Sequence, residues 1–168
     1  MAPRVKNPKG GLTPFDHQPA LWEAFNNYYG ALWSEGVVDD PTKEVGRLRN
    51  ARITGCGICK NLRFATAREQ GLDEESVALI EDDYAETALP RRWKLAIRLA
   101  DALIADSRVD DALRVDLLDE FSDAEIVELT ATIATAIAFS KASVAFGAPE
   151  EMPLIVVPTP TVGGDVVR

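Results

Sequence analysis

The segment DPTKEVGRLRNARITGCGIC, running from Asp40 to Cys59, carries the punctuation of one helix and the start of another. Asp40-Pro41 supplies an N-cap followed by proline at the first helical position, a strong start signal. Val45, Leu48, Arg49 and Arg52 continue the helix until Gly55 and Gly57, which bracket Cys56 and predict a break or a sharp change of direction. Cys56 and Cys59 are the only two cysteines among 168 residues. Three positions apart on a helical turn, their side chains share one face with Cα atoms roughly 5–6 Å apart, within reach of a disulfide. Closing so small a ring adds little stability, so the pair reads as one that cycles chemically rather than one that staples the fold.

Helical punctuation continues on both sides of this segment. A first helix is predicted from Pro19 to Ser34, with Leu21, Trp22, Phe25, Tyr28, Tyr29 and Leu32 on its apolar face and Gly36 after it. From Cys56 a further helix is predicted to carry Leu62, Ala65 and Thr66 as far as Gly71. Asp73 caps a short one holding Val77, Leu79 and Ile80, and Pro90 opens another with Trp93, Ile97, Ala100 and Ile104 on one face. Asp110 or Asp111 begins the next, with Leu113, Leu117 and Leu118. Ser122-Asp123-Ala124-Glu125 has the form of a capping box and leads into the longest periodic run, Ile126, Leu129, Ile133, Ile137 and Val144, which Gly147 ends. Pro149 to Arg168 contains four prolines and short Val/Ile runs, too broken for helix and too isolated for sheet. The expectation is an all-α single domain of six or seven helices over residues 16–148. A flexible N-terminal segment, 1–15, precedes it, and an extended C-terminal arm, 149–168, follows it, free to lie over a neighbouring subunit.

Composition narrows the function. A formal charge of −9 and a pI of about 4.6 argue against nucleic acid and anionic membrane surfaces as partners. No apolar run approaches the ~20 residues of a membrane span, and Met1 to Phe15 holds no signal-like apolar stretch. The expectation is a cytoplasmic protein with its thiols reduced at rest. The first-helix aromatics and last-helix aliphatics exceed what a small core hides, and Ala131, Ala134, Ala136 and Ala138 permit close helix approach; both favour a homo-oligomer. Two cysteines and one distant histidine, His17, fall short of a four-ligand zinc site, so no metal is expected. His17 itself reads as a capping or solvent-facing residue.

The thiols have a chemistry of their own. A thiolate at a helix N-terminus is stabilised by unpaired backbone N–H groups and the helix dipole, and Cys56 follows the Gly55 break. Arg63, four residues after Cys59, would share its face if the helix continues and would further favour thiolate. A second thiol is in place to resolve a sulfenic acid. The competing reading is of two buried cysteines acting as small hydrophobes.

The run from Glu44 to Cys59 resembles the core motif of the AhpD-like alkylhydroperoxidase family, part of the wider carboxymuconolactone decarboxylase superfamily. That pattern is a glutamate, eleven residues, a CxxC, and a histidine four positions after the second cysteine. Phe121 to Leu129 is similar to the start of the family's last helix, and the likeness covers roughly residues 12 to 147. It implies an all-helical fold and trimers or hexamers. It also implies reduction of a small hydroperoxide or a partner-protein disulfide with no bound cofactor, at the expense of an external thiol reductant. By the resemblance Cys59 attacks, Cys56 resolves and Glu44 belongs to the proton relay. The helix-start argument instead favours Cys56 as the more acidic thiol, and the family's assignment is the one adopted. Arg63 stands where the family has its histidine, and Ile58 fills the position between the cysteines where histidine is common. Arginine does not exchange a proton near neutral pH, and general acid–base help is worth roughly 10²–10⁴-fold. The expectation is therefore a slow, peroxidase-type oxidoreductase with Cys59, Cys56, Glu44 and Arg63 at its site. In this scheme Arg63 either activates a thiolate or holds Glu44. The alternatives are a non-catalytic redox-sensing oligomer and a cofactor-free decarboxylase-like lyase; the cysteine pair counts against the lyase.

Overall fold

Helix α2 (Asp40–Thr54) is the axis of the fold, and every residue from Asp40 to Ala51 is buried. The computed structural model describes residues 4–164. Around α2 lie α1 (Pro19–Ser34), α6 (Arg91–Ala105) and α8 (Asp123–Phe146), with α7 (Asp111–Glu120) bridging α6 and α8. The short helices α3 (Gly57–Asn61), α4 (Ala65–Glu69) and α5 (Glu74–Ala78) connect α2 to α6. The main core is aliphatic, built by Val45 and Leu48 of α2, Ile97 and Leu99 of α6, Leu113 and Leu117 of α7, and Leu129 and Ile133 of α8.

A helix enclosed on all sides must pair whatever charge it carries, because an unpaired buried ion is strongly destabilising. Helix α2 does so along its length. Lys43 Nζ lies 3.0 Å from Asp40 and 3.4 Å from Glu128, and it donates to the carbonyls of Leu32 and Trp33. Arg47 pairs with Glu44, and Arg49 with Asp101 at 2.6 Å. The start of α2 lies one position earlier than the sequence suggests: Asp39 is the cap, accepting from the Thr42 N–H at 2.9 Å, and Asp40 is already helical. Gly55 ends the helix in the left-handed region, φ +68°, which glycine adopts without steric cost.

The helix expected over 56–71 is corrected. It divides into α3 and α4 around a short strand, β1 (Leu62–Phe64), which brings the count to eight α-helices among the described residues. A side chain from α2 and the pairing with a later strand both hold the backbone here. Arg47 donates to the carbonyls of Cys59 at 2.8 Å and Leu62 at 2.7 Å, the acceptors that a continuing helix would have offered to residues 63 and 66. The Thr66 N–H turns instead to Thr159 Oγ1 at 3.0 Å.

The tail is corrected with it. Ile155–Val157 forms β2, which pairs in parallel with β1 in the register Leu62↔Ile155, Arg63↔Val156, Phe64↔Val157. Within the described residues the arm thus lies on its own chain. It passes so close to the cysteine turn that a Cβ at Gly57 would stand 2.3 Å from the Pro149 carbonyl oxygen. Residues 165–168 of the arm and 1–3 of the N-terminal segment lie outside the described residues. From residue 4 the N-terminal segment docks on the end of α8, where the N–H groups of Arg4 and Val5 donate to the Phe146 carbonyl.

Helix α8 amends one expectation from composition. It is 24 residues long with a mean hydropathy of 1.4 over its most apolar window, enough by length and composition to cross a bilayer. One such helix is weak grounds for a span, since the core helix of a globular fold meets the same test. It opens on the expected capping box: the Ser122 N–H donates to Glu125 at 2.8 Å, and the Glu125 N–H donates to Ser122 Oγ at 3.3 Å. Leu129, Thr132, Ile133, Ala136, Ser140 and Ser143 form its buried stripe.

Candidate active site

Cys56 and Cys59 are joined as a disulfide, with Cα atoms 5.3 Å apart. Gly55 reverses the chain after α2, leaving Cys56 as the N-cap of α3, where its Sγ accepts from the Cys59 N–H at 3.3 Å. The two sulfurs therefore have different surroundings. Cys56 is wholly buried against Ala51, whereas Cys59 is 7% exposed and reaches a cleft.

That cleft has a volume of about 520 Å³. Trp22, Phe25 and Tyr29 of α1, spaced three and four apart, present one helical face to it. Phe15 closes one side from the turn before α1, and Phe139 and Phe146 come from α8. The rings interlock: Phe139 stacks on Phe25 at 5.0 Å and on Phe15 at 5.1 Å, and Phe15 on Trp22 at 4.9 Å. Such aromatic pairs add roughly 0.5–1.5 kcal/mol each beyond the area they bury. Leu62 and Phe64 of β1 join Tyr29 and Trp33 in a second, smaller core beneath the cleft.

Glu44, on α2, is completely buried, and both of its carboxylate oxygens are taken by Arg47, at 2.7 Å from Nε and 2.6 Å from Nη2. The Phe64 N–H adds a 3.4 Å donor. Arg47 is thereby the link between the carboxylate and the cysteine turn. Burial pushes its pKa down, but the charge and hydrogen bonds of Glu44 outweigh that and hold it above the ordinary arginine value. Beside the pair, burial pushes the Tyr29 hydroxyl up to about 12.

The expected site residues are thus only partly brought together. Cys56 and Cys59 meet, and Glu44 connects to them through Arg47. Arg63 does not join them. It sits in a strand, where neighbouring side chains alternate faces. Leu62 and Phe64 line the cleft, while Arg63 turns to Glu74, with Nε 3.1 Å and Nη2 3.0 Å from its oxygens. Its Nη1 donates to the carbonyls of Lys60 and Leu62. Ile58, between the cysteines, does line the cleft. His17 is exposed, with Nε2 2.9 Å from the Lys6 carbonyl, and does not line the cleft. Arg47 escaped the sequence reading, although its i,i+3 spacing from Glu44 was a usable signal. Phe15 and Phe139 gave no comparable signal, because their meeting depends on tertiary packing. Among the described residues, no three His, Cys, Asp or Glu side chains gather as a metal-binding group.

Residues 19–102 match the carboxymuconolactone decarboxylase family. Two uncharacterised proteins, one from each of two Mycobacterium tuberculosis strains, are 38% identical to the chain over 142 residues, which is 82% of this chain and 49% of theirs. The chain spans about half the length of the curated relatives it matches. A crystal structure of a protein of unknown function from Agrobacterium tumefaciens, suggested by its name to be an AhpD antioxidant defence protein, shares the fold with a TM-score of 0.70. Its sequence identity is 22%, over 82% of this chain and 97% of that one.

Proposed function

The chain belongs to the carboxymuconolactone decarboxylase family, and within it we propose a thiol–disulfide oxidoreductase of the AhpD-like kind that reduces hydroperoxides through Cys59 and Cys56. The observation that carries this reading is the asymmetry of the pair. One sulfur opens on a cleft large enough for a substrate, and its partner lies buried behind it at bonding distance.

In the reduced protein the Cys59 thiolate attacks the terminal oxygen of the hydroperoxide. The O–O bond breaks, the alkoxide leaves and takes up a proton to become an alcohol, and Cys59 is oxidised to a sulfenic acid. The Cys56 thiolate then attacks the Cys59 sulfur. Hydroxide leaves and is protonated to water, and the disulfide forms. An external dithiol returns two electrons by thiol–disulfide exchange. Among the described residues no histidine lines the cleft, and Arg47 occupies both oxygens of Glu44. Proton transfer is then left to solvent, which supports slow turnover. A partner-protein disulfide is the other substrate the exchange chemistry admits.

The locked Glu44–Arg47 pair also favours a second reading, a redox-sensing oligomer that closes its disulfide once and turns nothing over. One experiment separates the two: peroxide consumption with dithiothreitol as reductant, compared between the unaltered protein and Cys59→Ser. Sustained consumption lost in Cys59→Ser supports the oxidoreductase. Stoichiometric closure of the pair without turnover supports the sensor. Equal rates in both proteins sink the peroxidase reading.

A further inference from the structure

We infer that the cleft beside Cys59 selects an uncharged, bulky apolar hydroperoxide, with Phe139 as the ring that fixes its body; this rests on the oxidoreductase reading above. Size gives the first argument. Hydrogen peroxide needs no more room than two water-sized groups, whereas a cleft of about 520 Å³ falls within the range of small-molecule sites. At roughly 30 Å³ for each water-sized group, it has space for a body of about fifteen to twenty non-hydrogen atoms.

Lining chemistry gives the second. Apart from Arg47, every described residue that lines the cleft is uncharged, and aromatic and aliphatic side chains dominate it. A carboxylate entering the cleft would find no counter-ion free to meet it. Arg47 gives Nε and Nη2 to Glu44, Nη1 to the Cys59 carbonyl, and Nη2 also to the Leu62 carbonyl. The charge of Glu44 already balances that guanidinium, so the buried pair offers an anion little net attraction. A formal charge of −9 on the chain adds long-range repulsion. The substrate class is therefore a neutral hydroperoxide, such as an esterified acyl or hydrocarbon one, and the free fatty-acid anion is excluded.

The third argument locates the selectivity. Phe139 touches Phe15, Trp22 and Phe25 at once, so it ties the N-terminal turn and α1 to α8 across the cleft wall. Phe15 and Phe139 both fall outside residues 19–102, the part that matches the family. The wall thus joins Trp22 and Phe25 from within that part to two rings from outside it.

The test uses a matched pair of unreactive product analogues, hydroxydodecanoic acid and its methyl ester, with the reduced, unaltered protein. Affinity is read by isothermal titration, and occupancy of the site by protection of Cys59 from maleimide, followed by mass spectrometry. The ester is expected to bind at least about tenfold tighter than the acid and to slow Cys59 alkylation as it saturates. Phe139→Ala should weaken the ester by about tenfold. Equal affinity for ester and acid, ester binding that leaves Cys59 unprotected, or no binding by either would overturn the inference. Unchanged ester affinity in Phe139→Ala would remove Phe139 from it. Because no turnover is measured, a protein that binds the ester but consumes no peroxide would sink the oxidoreductase reading and leave the cleft assignment standing. The comparison of ester with acid needs no variant, so a misfolded Phe139→Ala leaves the test decisive.

Discussion

Arg47 reaches from α2 to the carbonyl of Cys59 at 2.8 Å while holding Glu44 with its other nitrogens, so one guanidinium joins the buried carboxylate to the turn that carries the cleft-facing sulfur. Its further bond to the Leu62 carbonyl falls where α3 gives way to β1, the strand with which the C-terminal arm pairs. Local conformation and site geometry therefore meet at one side chain.

Removing that guanidinium should be costly. Arg47→Met leaves Glu44 charged and unpaired at a fully buried position, a change worth about 3–5 kcal/mol. The double variant Arg47→Met/Glu44→Gln removes both charges and should recover more than half of that loss. Denaturant unfolding of the four proteins in the cycle measures the coupling. Simple additivity of the two single changes would contradict the assigned role.

Restoring a histidine should help only at the position that faces the cleft. Strand alternation turns Arg63 toward Glu74, so Arg63→His is expected to leave peroxide turnover unchanged. Ile58 lines the cleft between the two cysteines, and Ile58→His should raise turnover by at least about tenfold, given the usual worth of a placed proton carrier. Steady-state peroxide consumption with a dithiol checks both. A gain from Arg63→His with none from Ile58→His would mean that the strand assignment misplaces the relay.

These two positions also show what was legible in the sequence. The meeting of Cys56 with Cys59 was legible because both lie on one turn after a glycine stop, whereas Glu44 entered only through the family resemblance. Six of the expected helices could be found because each opens on a local start signal, from Pro19 to the Ser122–Glu125 box. The split of 56–71 was hidden because nothing local breaks that helix. A charged side chain from α2 and a strand about ninety residues away compete for its backbone. Arg63 was misplaced for the same reason: its facing depended on a helix that tertiary contacts replace with a strand. Helix α2 is buried all round, so its charges gave no amphipathic stripe from which to single out Arg47.

The Tyr29 hydroxyl gives a pH signature. Its pKa is raised by burial from 10 in the unfolded chain to about 12 in the fold. A folded pKa above the unfolded one means that the unfolded chain releases its proton first. The stabilising contribution is whole below pH 10 and is lost as pH rises from 10 toward 12. The size is roughly 2–3 kcal/mol. Tyr29→Phe has no proton to release, so its stability should fall less steeply across that window than that of the unaltered protein. Parallel denaturant midpoints measured from pH 9 to 12 would settle it, and identical slopes would count against a buried neutral phenol.

We propose last that α1 and α8 pack against another copy of this chain. Leu21, Tyr28 and Val127 are 64%, 49% and 70% exposed, and Tyr28 and Val127 share a groove with Ala31, Leu32, Ala124 and Ala131. Leu21, Tyr28 and Leu32 recur along one side of α1, and the small alanines of α8 let a second helix approach closely. The arrangement supports a homo-oligomer whose seam lies beside this groove, on residues that the cleft does not use. Val127→Lys places a charge where the seam would exclude water, a cost of about 2–3 kcal/mol or some hundredfold in association. Sedimentation of the unaltered protein should show an oligomer at micromolar concentration, and Val127→Lys should shift it toward monomer while its helical circular dichroism is unchanged. A monomeric unaltered protein would leave the groove without the partner assigned to it. An oligomer indifferent to Val127→Lys would place the seam on another face.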